Sequence, residues 1–139
     1  MLDRLLNSTE RLPLWVLIPS VFIILVYSML SFLAFTNPEF FYTSMTIPIP
    51  EHGFMLLSWG GKNTAMVMGI LLATLGRRAL PLVIMMGVFL TGQFGDINAG
   101  AQTNVNVFVT YIGMGFVILQ LIILGLYASR TSVQKLVTA

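Results

Sequence analysis

Residues 14–35 read LWVLIPSVFIILVYSMLSFLAF, a stretch that contains no charged side chain. At about 1.5 Å of rise per residue, a helix of this length crosses the ~30 Å hydrocarbon core of a bilayer. Trp15 lies at its start, where an indole prefers the headgroup level, and Pro19 falls in the first turns, where its missing N–H costs little. The stretch is longer than the apolar segment of a cleaved signal peptide, so it predicts a retained first transmembrane helix.

The composition of the whole chain is also that of a membrane protein. The 139 residues are 57% hydrophobic and only 9% charged, whereas soluble domains carry about 25% charged residues. The formal net charge of +2 is too small to favour a nucleic-acid partner, so none is expected. The chain contains no cysteine, which excludes disulfides, thiolate metal sites and cysteine nucleophiles. Composition therefore predicts an integral protein of the lipid bilayer.

Long apolar runs predict an all-α, integral membrane four-helix bundle in a single transmembrane domain, 1–139. Its helices are expected at about residues 14–35, 54–75, 79–97 and 105–127. Between them we expect a long loop, a tight basic turn and a polar loop, at residues 36–53, 76–78 and 98–104. In the long loop, Ile47-Pro48-Ile49-Pro50 is expected to prevent a regular helix.

The basic residues set the expected orientation. Four spans place the N-terminus, the turn at 76–78 and the C-terminus on one side of the membrane. These segments hold six of the seven basic residues, namely Arg4, Arg11, Arg77, Arg78, Arg130 and Lys135. Because cytoplasmic segments are enriched in Lys and Arg, we expect a multi-pass protein of the cell membrane with both termini in the cytoplasm.

Lys62, the seventh basic residue, lies inside the predicted second helix. It is about 20 Å from the cytoplasmic end of that helix, where a lysine costs roughly 2.5–3.5 kcal/mol unless it is paired or reaches water. Small residues repeat every four positions on the same helix, at Gly61, Ala65, Gly69 and Ala73. Such a stripe lets another helix approach closely. Lys62 falls within the angular range of the stripe, which predicts that it faces a protein neighbour.

The tight turn at 76–78 predicts an antiparallel hairpin of the second and third helices. Lys62 lies as far before the turn as Gln93 lies after it, and Asp96 follows one helical turn further out. Lys62, Asp96 and Gln93 are therefore the predicted site. Three interpretations stay open: an ion pair that is only structural, a pocket for a polar ligand group, proton or reacting centre, or a Lys62 that snorkels outward alone.

Four further polar residues near the outer end are secondary candidates: Glu51, His52, Asn63 and Asn98. Glu51 and His52 form either an acid/base pair or an exposed loop end. Asn63 points about 100° away from Lys62 on an ideal helix. Asn98 opens an Asn/Gln-rich segment, for which solvation and helix capping are the plainer roles. With one histidine and no cysteine, no metal site is expected.

Two short sequences carry a family resemblance. Trp59-Gly60-Gly61-Lys62-Asn63 opens one span, and after a short basic turn the next span ends in Gln93-Phe94-Gly95-Asp96. Over about residues 58–97 this arrangement resembles small bacterial four-helix membrane proteins of the DoxX-like type. The resemblance implies a bacterial inner-membrane location and a family-like pair of Lys62 and Asp96. Such families are variously linked to quinone-coupled oxidoreductase complexes or left unassigned, and the proline-rich first loop departs from their pattern.

Three functions are compatible with these features. The first is an accessory or assembly subunit of a membrane complex, with other subunits or further copies of the chain as partners. The alternative is a membrane-embedded enzyme or binder for a lipophilic small molecule, such as a quinone, sterol-like or isoprenoid compound. A proton or ion pathway is disfavoured, because the levels of Leu71, Val83 and Leu121 are apolar. The sequence specifies no cofactor and leaves open whether the chain is an enzyme.

Overall fold

The computed structural model describes residues 11–37, 49–103 and 108–137, with side chains at 11–37, 57–98 and 108–130. A 3₁₀ turn at Leu14–Leu17 leads into α1 (Ile18–Thr36). Three more helices follow: α2 (Ile49–Gly76), α3 (Ala79–Thr103) and α4 (Phe108–Val137). The predicted all-α class is confirmed for this part of the chain.

Three stretches among the described residues are long and apolar enough to cross a membrane: Leu14–Thr36, Ala79–Asn98 and Phe108–Arg130. Large apolar side chains on their outer sides, such as Leu25, Phe32 and Ile122, are exposed, which indicates a membrane protein. The described part of α2 does not reach the same apolarity. This helix carries Lys62, Asn63 and a glycine pair.

Three helices extend beyond their predicted ends. α2 begins at Ile49, so the expectation that Ile49-Pro50 prevents a helix is wrong; Pro50 stands in the first turn, where no N–H is needed. α3 continues to Thr103 in place of a polar loop from Asn98, through a segment that contains no proline. α4 runs on to Val137, past the predicted end at Tyr127, through residues that include neither glycine nor proline. Residues 47–48 and 104–107 lie outside the described chain.

The backbone hydrogen bonding of the first span is interrupted near Pro19, and a side chain of α4 bonds to the groups left unpaired. In a continuous α-helix the Ser20 N–H would bond to the carbonyl of Val16, but the 3₁₀ turn and Pro19 interrupt this ladder. Gln120 bridges the two groups: its Nε2 donates to the Val16 carbonyl at 2.7 Å, and its Oε1 accepts from the Ser20 N–H at 3.1 Å. The Ser20 hydroxyl donates to the same oxygen at 2.6 Å. One buried side chain thus stands in for a missing backbone hydrogen bond and joins the first span to α4.

α2 packs between α1 and α3. A Cβ added at Gly60 would lie 3.3 Å from the Ala34 side chain, so α2 is in close contact with the C-terminal end of α1. At the opposite end, the Leu12 N–H donates to the Arg77 carbonyl at 2.7 Å and the Arg77 Nε donates to the Leu12 carbonyl at 2.8 Å. Arg77 has a φ of 52°, the left-handed conformation that commonly follows a helix. α2 therefore runs antiparallel to the first span over the length of that span.

Candidate functional site

Lys62 of α2 and Asp96 of α3 form an ion pair through Nζ and Oδ1. The tight turn between α2 and α3 sets which residues of the two helices face each other. One helical turn closer to that turn, Gly92 packs closely against Met66, and this contact maintains the pairing of Lys62 with Asp96. The second carboxylate oxygen of Asp96 accepts a hydrogen bond from Trp59 Nε1 at 3.2 Å. The aspartate therefore joins two donors of α2, and both of its oxygens are used.

The pair lies at the surface of the bundle rather than in its interior. The side chain of Lys62 is 36% exposed and that of Asp96 is 15% exposed. A lysine ammonium has three N–H groups, and Asp96 is its one hydrogen-bond partner among the described side chains. Its other N–H groups thus have no partner among the described side chains, and the lysine side chain is partly exposed. The pair can therefore hold an external acceptor, such as a carbonyl, carboxylate or phosphate oxygen.

The structure places Gln93 elsewhere than the sequence predicts. Gln93 is buried, and its Oε1 accepts a hydrogen bond from the Tyr27 hydroxyl at 2.9 Å rather than lying against Lys62. The Tyr27 oxygen is also 3.2 Å from the carbonyl of Val109. Phe89 meets the tyrosine ring edge-on, with centroids 4.7 Å apart. Gln93 therefore belongs to an interior junction of α1, α3 and α4.

Two buried polar atoms in the half of the bundle that contains the ion pair have no hydrogen-bond partner within the described residues. They are Oδ1 of Asn63 and Nε2 of Gln93. Asn63 follows Lys62 in α2 and uses its Nδ2 to donate to the carbonyl of Trp59 at 3.0 Å. A buried polar atom left unpaired costs roughly 1–3 kcal/mol. The half of the bundle that contains the ion pair thus has unused hydrogen-bonding capacity.

Only part of the small-residue stripe on α2 packs against other helices of the bundle. Gly69 packs against Met85 and Ala73 is buried, as the stripe predicts. Gly61 and Ala65 are exposed, and a Cβ at Gly61 would meet no atom within 4 Å. The prediction that their part of the stripe faces a neighbour in this chain is wrong, because α2 turns Gly60 and not Gly61 towards α1. We call the surface of Gly61, Lys62 and Ala65 the outer face of α2.

Of the secondary candidates whose side chains the structure describes, neither bonds to the ion pair. Asn98 is exposed on α3, and Asn63 is buried. The side chains of Glu51 and His52 lie outside the described residues.

Trp59 and Tyr27 are contacts that the prediction of the site missed. Trp59 precedes Lys62 by three residues, so helical spacing alone was a usable signal for it. Tyr27 stands in α1, and no spacing rule in the sequence relates it to Gln93.

Comparisons of the chain with known protein families, with characterised proteins and with solved structures find no match. The resemblance to DoxX-like proteins therefore stays a prediction. Any functional proposal rests on the geometry of the bundle.

Proposed function

We propose that the chain is an accessory or assembly subunit of a membrane complex, and that it binds a transmembrane helix of a partner protein through the outer face of α2. The observation that carries the proposal is the position of Lys62, partly exposed between two exposed small residues. Small residues let helices approach closely, and polar groups then connect them across the contact.

The proposed arrangement in the membrane has four spans and cytoplasmic termini. The reciprocal bonds between Leu12 and Arg77 support it, because they require α2 to run back along the entire first span. Trp15 and Tyr127 lie edge to face at the same end, 6.1 Å apart, as aromatic side chains do at a headgroup boundary. We further propose the bacterial inner membrane as the location, on the resemblance alone.

The chemistry of the outer face of α2 defines the partner. Lys62 has N–H groups left over after it bonds to Asp96, and hydrocarbon offers them no acceptor. The partner helix should therefore present a carbonyl, amide or carboxylate oxygen at this depth. A second copy bound through the same face would present another Lys62 donor at this depth and no free acceptor, which favours a different protein.

Co-purification from native membranes in mild detergent tests this proposal. Lys62→Met and Ala65→Leu should each remove the same partner polypeptide, by losing the donor and by blocking close approach respectively. Gly87→Leu is the matched control, since a side chain at this open position of α3 meets nothing within 4 Å. A strictly monomeric wild type, or equal loss in all three variants, would contradict the proposal.

A second candidate, a binder of a lipophilic molecule with a polar head, is favoured by the unpaired Asn63 Oδ1 and Gln93 Nε2. A quinone-like or isoprenoid head group that accepts and donates hydrogen bonds suits this pair of atoms. A short-chain quinone should then be retained by purified wild type and lost in Lys62→Met and Asp96→Asn. Retention that is unchanged in both variants would remove this candidate.

A further inference from the structure

An apolar groove lies along the first span, at the end of the bundle opposite to the Lys62–Asp96 pair. Its volume is about 510 Å³, within the ~300–1,000 Å³ of typical small-molecule sites. Its walls are apolar except at one end, and include Leu17, Val21, Leu25, Leu75 and Arg77. Leu14 and Leu25, at its two ends, are separated by about 16 Å of helix, which is close to half the ~30 Å hydrocarbon core. The groove therefore has the length of one leaflet.

Arginines gather where the groove ends. The Nε of Arg77 is fixed by the Leu12 carbonyl, and its terminal nitrogens have no partner within the described chain. Arg78 and Arg11 are exposed next to this contact. Asp96 is the one acidic side chain that the structure describes, and it lies at the other end of the bundle. Among the described residues, this end of the groove thus has three arginines and no acidic side chain.

We propose that the groove binds one anionic glycerophospholipid of the inner leaflet, with an acyl chain along the groove and the phosphate on Arg11, Arg77 and Arg78. Arginine is well suited to phosphate, which it binds through two parallel hydrogen bonds. Thr74 and Arg77 are the polar residues among those that line the groove. A partner's apolar helix is a poorer occupant, because it would cover these guanidinium groups without neutralising them.

The test is native mass spectrometry of the purified full chain with dioleoyl phosphatidylglycerol or dioleoyl phosphatidylcholine at equal concentration. One phosphatidylglycerol should be retained at least about tenfold more tightly, and Arg11→Gln with Arg78→Gln should weaken it about fivefold per arginine. Arg130→Gln is the matched control, because it removes a positive charge of α4 at the same end of the bundle. It should leave the retention of phosphatidylglycerol unchanged. Equal binding of both lipids, or an equal effect of the control, would overturn the proposal.

Two further measurements separate the groove from the arginines. Val21→Trp fills the groove and should abolish retention, whereas Phe32→Trp on an exposed part of α1 should not; if Val21→Trp does not fold, Leu25→Trp replaces it. Glycerol 3-phosphate should not displace the lipid, and displacement at comparable concentration would show that the head group alone is bound. The lipid site depends on the proposed membrane insertion but not on the proposed partner helix. Lys62→Met should therefore leave lipid retention intact even where it abolishes partner binding.

Discussion

Asp96 has a more enclosed position than its partner, and this difference sets the order of mutational effects at the residue scale. The carboxylate is 15% exposed and bonded to both Lys62 and Trp59, whereas the lysine is 36% exposed. A lysine that loses its partner can extend towards the interface. A carboxylate that loses the ammonium is left as a charge in a medium of low dielectric constant.

Lys62→Met should therefore destabilise the bundle more than Asp96→Asn. The double variant should be more stable than Lys62→Met alone, with a coupling energy of about 1 kcal/mol. Reversible unfolding in mixed detergent micelles measures all three free energies. Strictly additive effects would show that the two side chains do not stabilise each other.

Gln120 provides a second prediction at this scale. Gln120→Leu removes the bridge between the Val16 carbonyl and the Ser20 N–H, so two backbone groups lose their partner in the interior. The cost should be about 2–4 kcal/mol of unfolding free energy. Leu119→Met, on the exposed side of the same turn, should change stability by less than about 0.5 kcal/mol. Similar values for the two variants would rule out the bridging role.

At the scale of the elements, the contact between α1 and α4 depends on a glycine. A Cβ at Gly113 would overlap with the Tyr27 hydroxyl, whereas a Cβ at Gly115 would meet nothing within 4 Å. Gly113→Ala must therefore displace the tyrosine from Gln93 and Val109. Gly115→Ala changes the same residue type on the same helix without a steric effect.

We expect Gly113→Ala to lower the free energy of unfolding by about 1–3 kcal/mol. Gly115→Ala should leave it unchanged or raise it by up to about 1 kcal/mol, because alanine favours a helix. The same unfolding assay compares the two. If Gly113→Ala is as stable as Gly115→Ala, Tyr27 does not occupy the position described.

The sequence predicted the α2–α3 hairpin well but not the rotation of α2 about its axis. The register of α2 against α3 follows from the helical rise per residue and the tight turn alone, and this register brings Lys62 to Asp96. Rotation depends on which of two adjacent glycines packs inward, and the sequence Gly60-Gly61 supports either choice. The packing of Gly60 against Ala34 and Phe35 settles it, and that contact joins helices with no short turn between them.

The sequence pattern also did not predict where the helices end. Hydropathy marks the part of a helix that suits hydrocarbon, but α3 and α4 continue as polar helix past Asn98 and Tyr127. The hydrogen bond between Tyr27 and Gln93 was also not predictable, because it depends on how α1 crosses α3. Local rules therefore recover elements and the ion pair, while the interior polar contacts require the assembled bundle.

At the scale of the whole molecule, the number of crossings is a direct prediction. The chain has no cysteine, so single cysteines can be introduced without background. Arg11→Cys and Arg78→Cys should be protected from an impermeant maleimide in intact spheroplasts, and Asn98→Cys should be labelled. Labelling of only one of the two arginine positions would mean that α2 does not cross the membrane.

Site-specific photocrosslinking in native membranes tests the central claim, that the outer face of α2 binds a partner helix. A photoreactive residue at Ala65 should capture one defined polypeptide, and the same residue at Phe32, also exposed but on α1, should not. Adding Lys62→Met should abolish the capture at Ala65. The account is contradicted if Ala65 and Phe32 capture the same proteins, if the product is a second tagged copy of this chain, or if capture does not depend on Lys62.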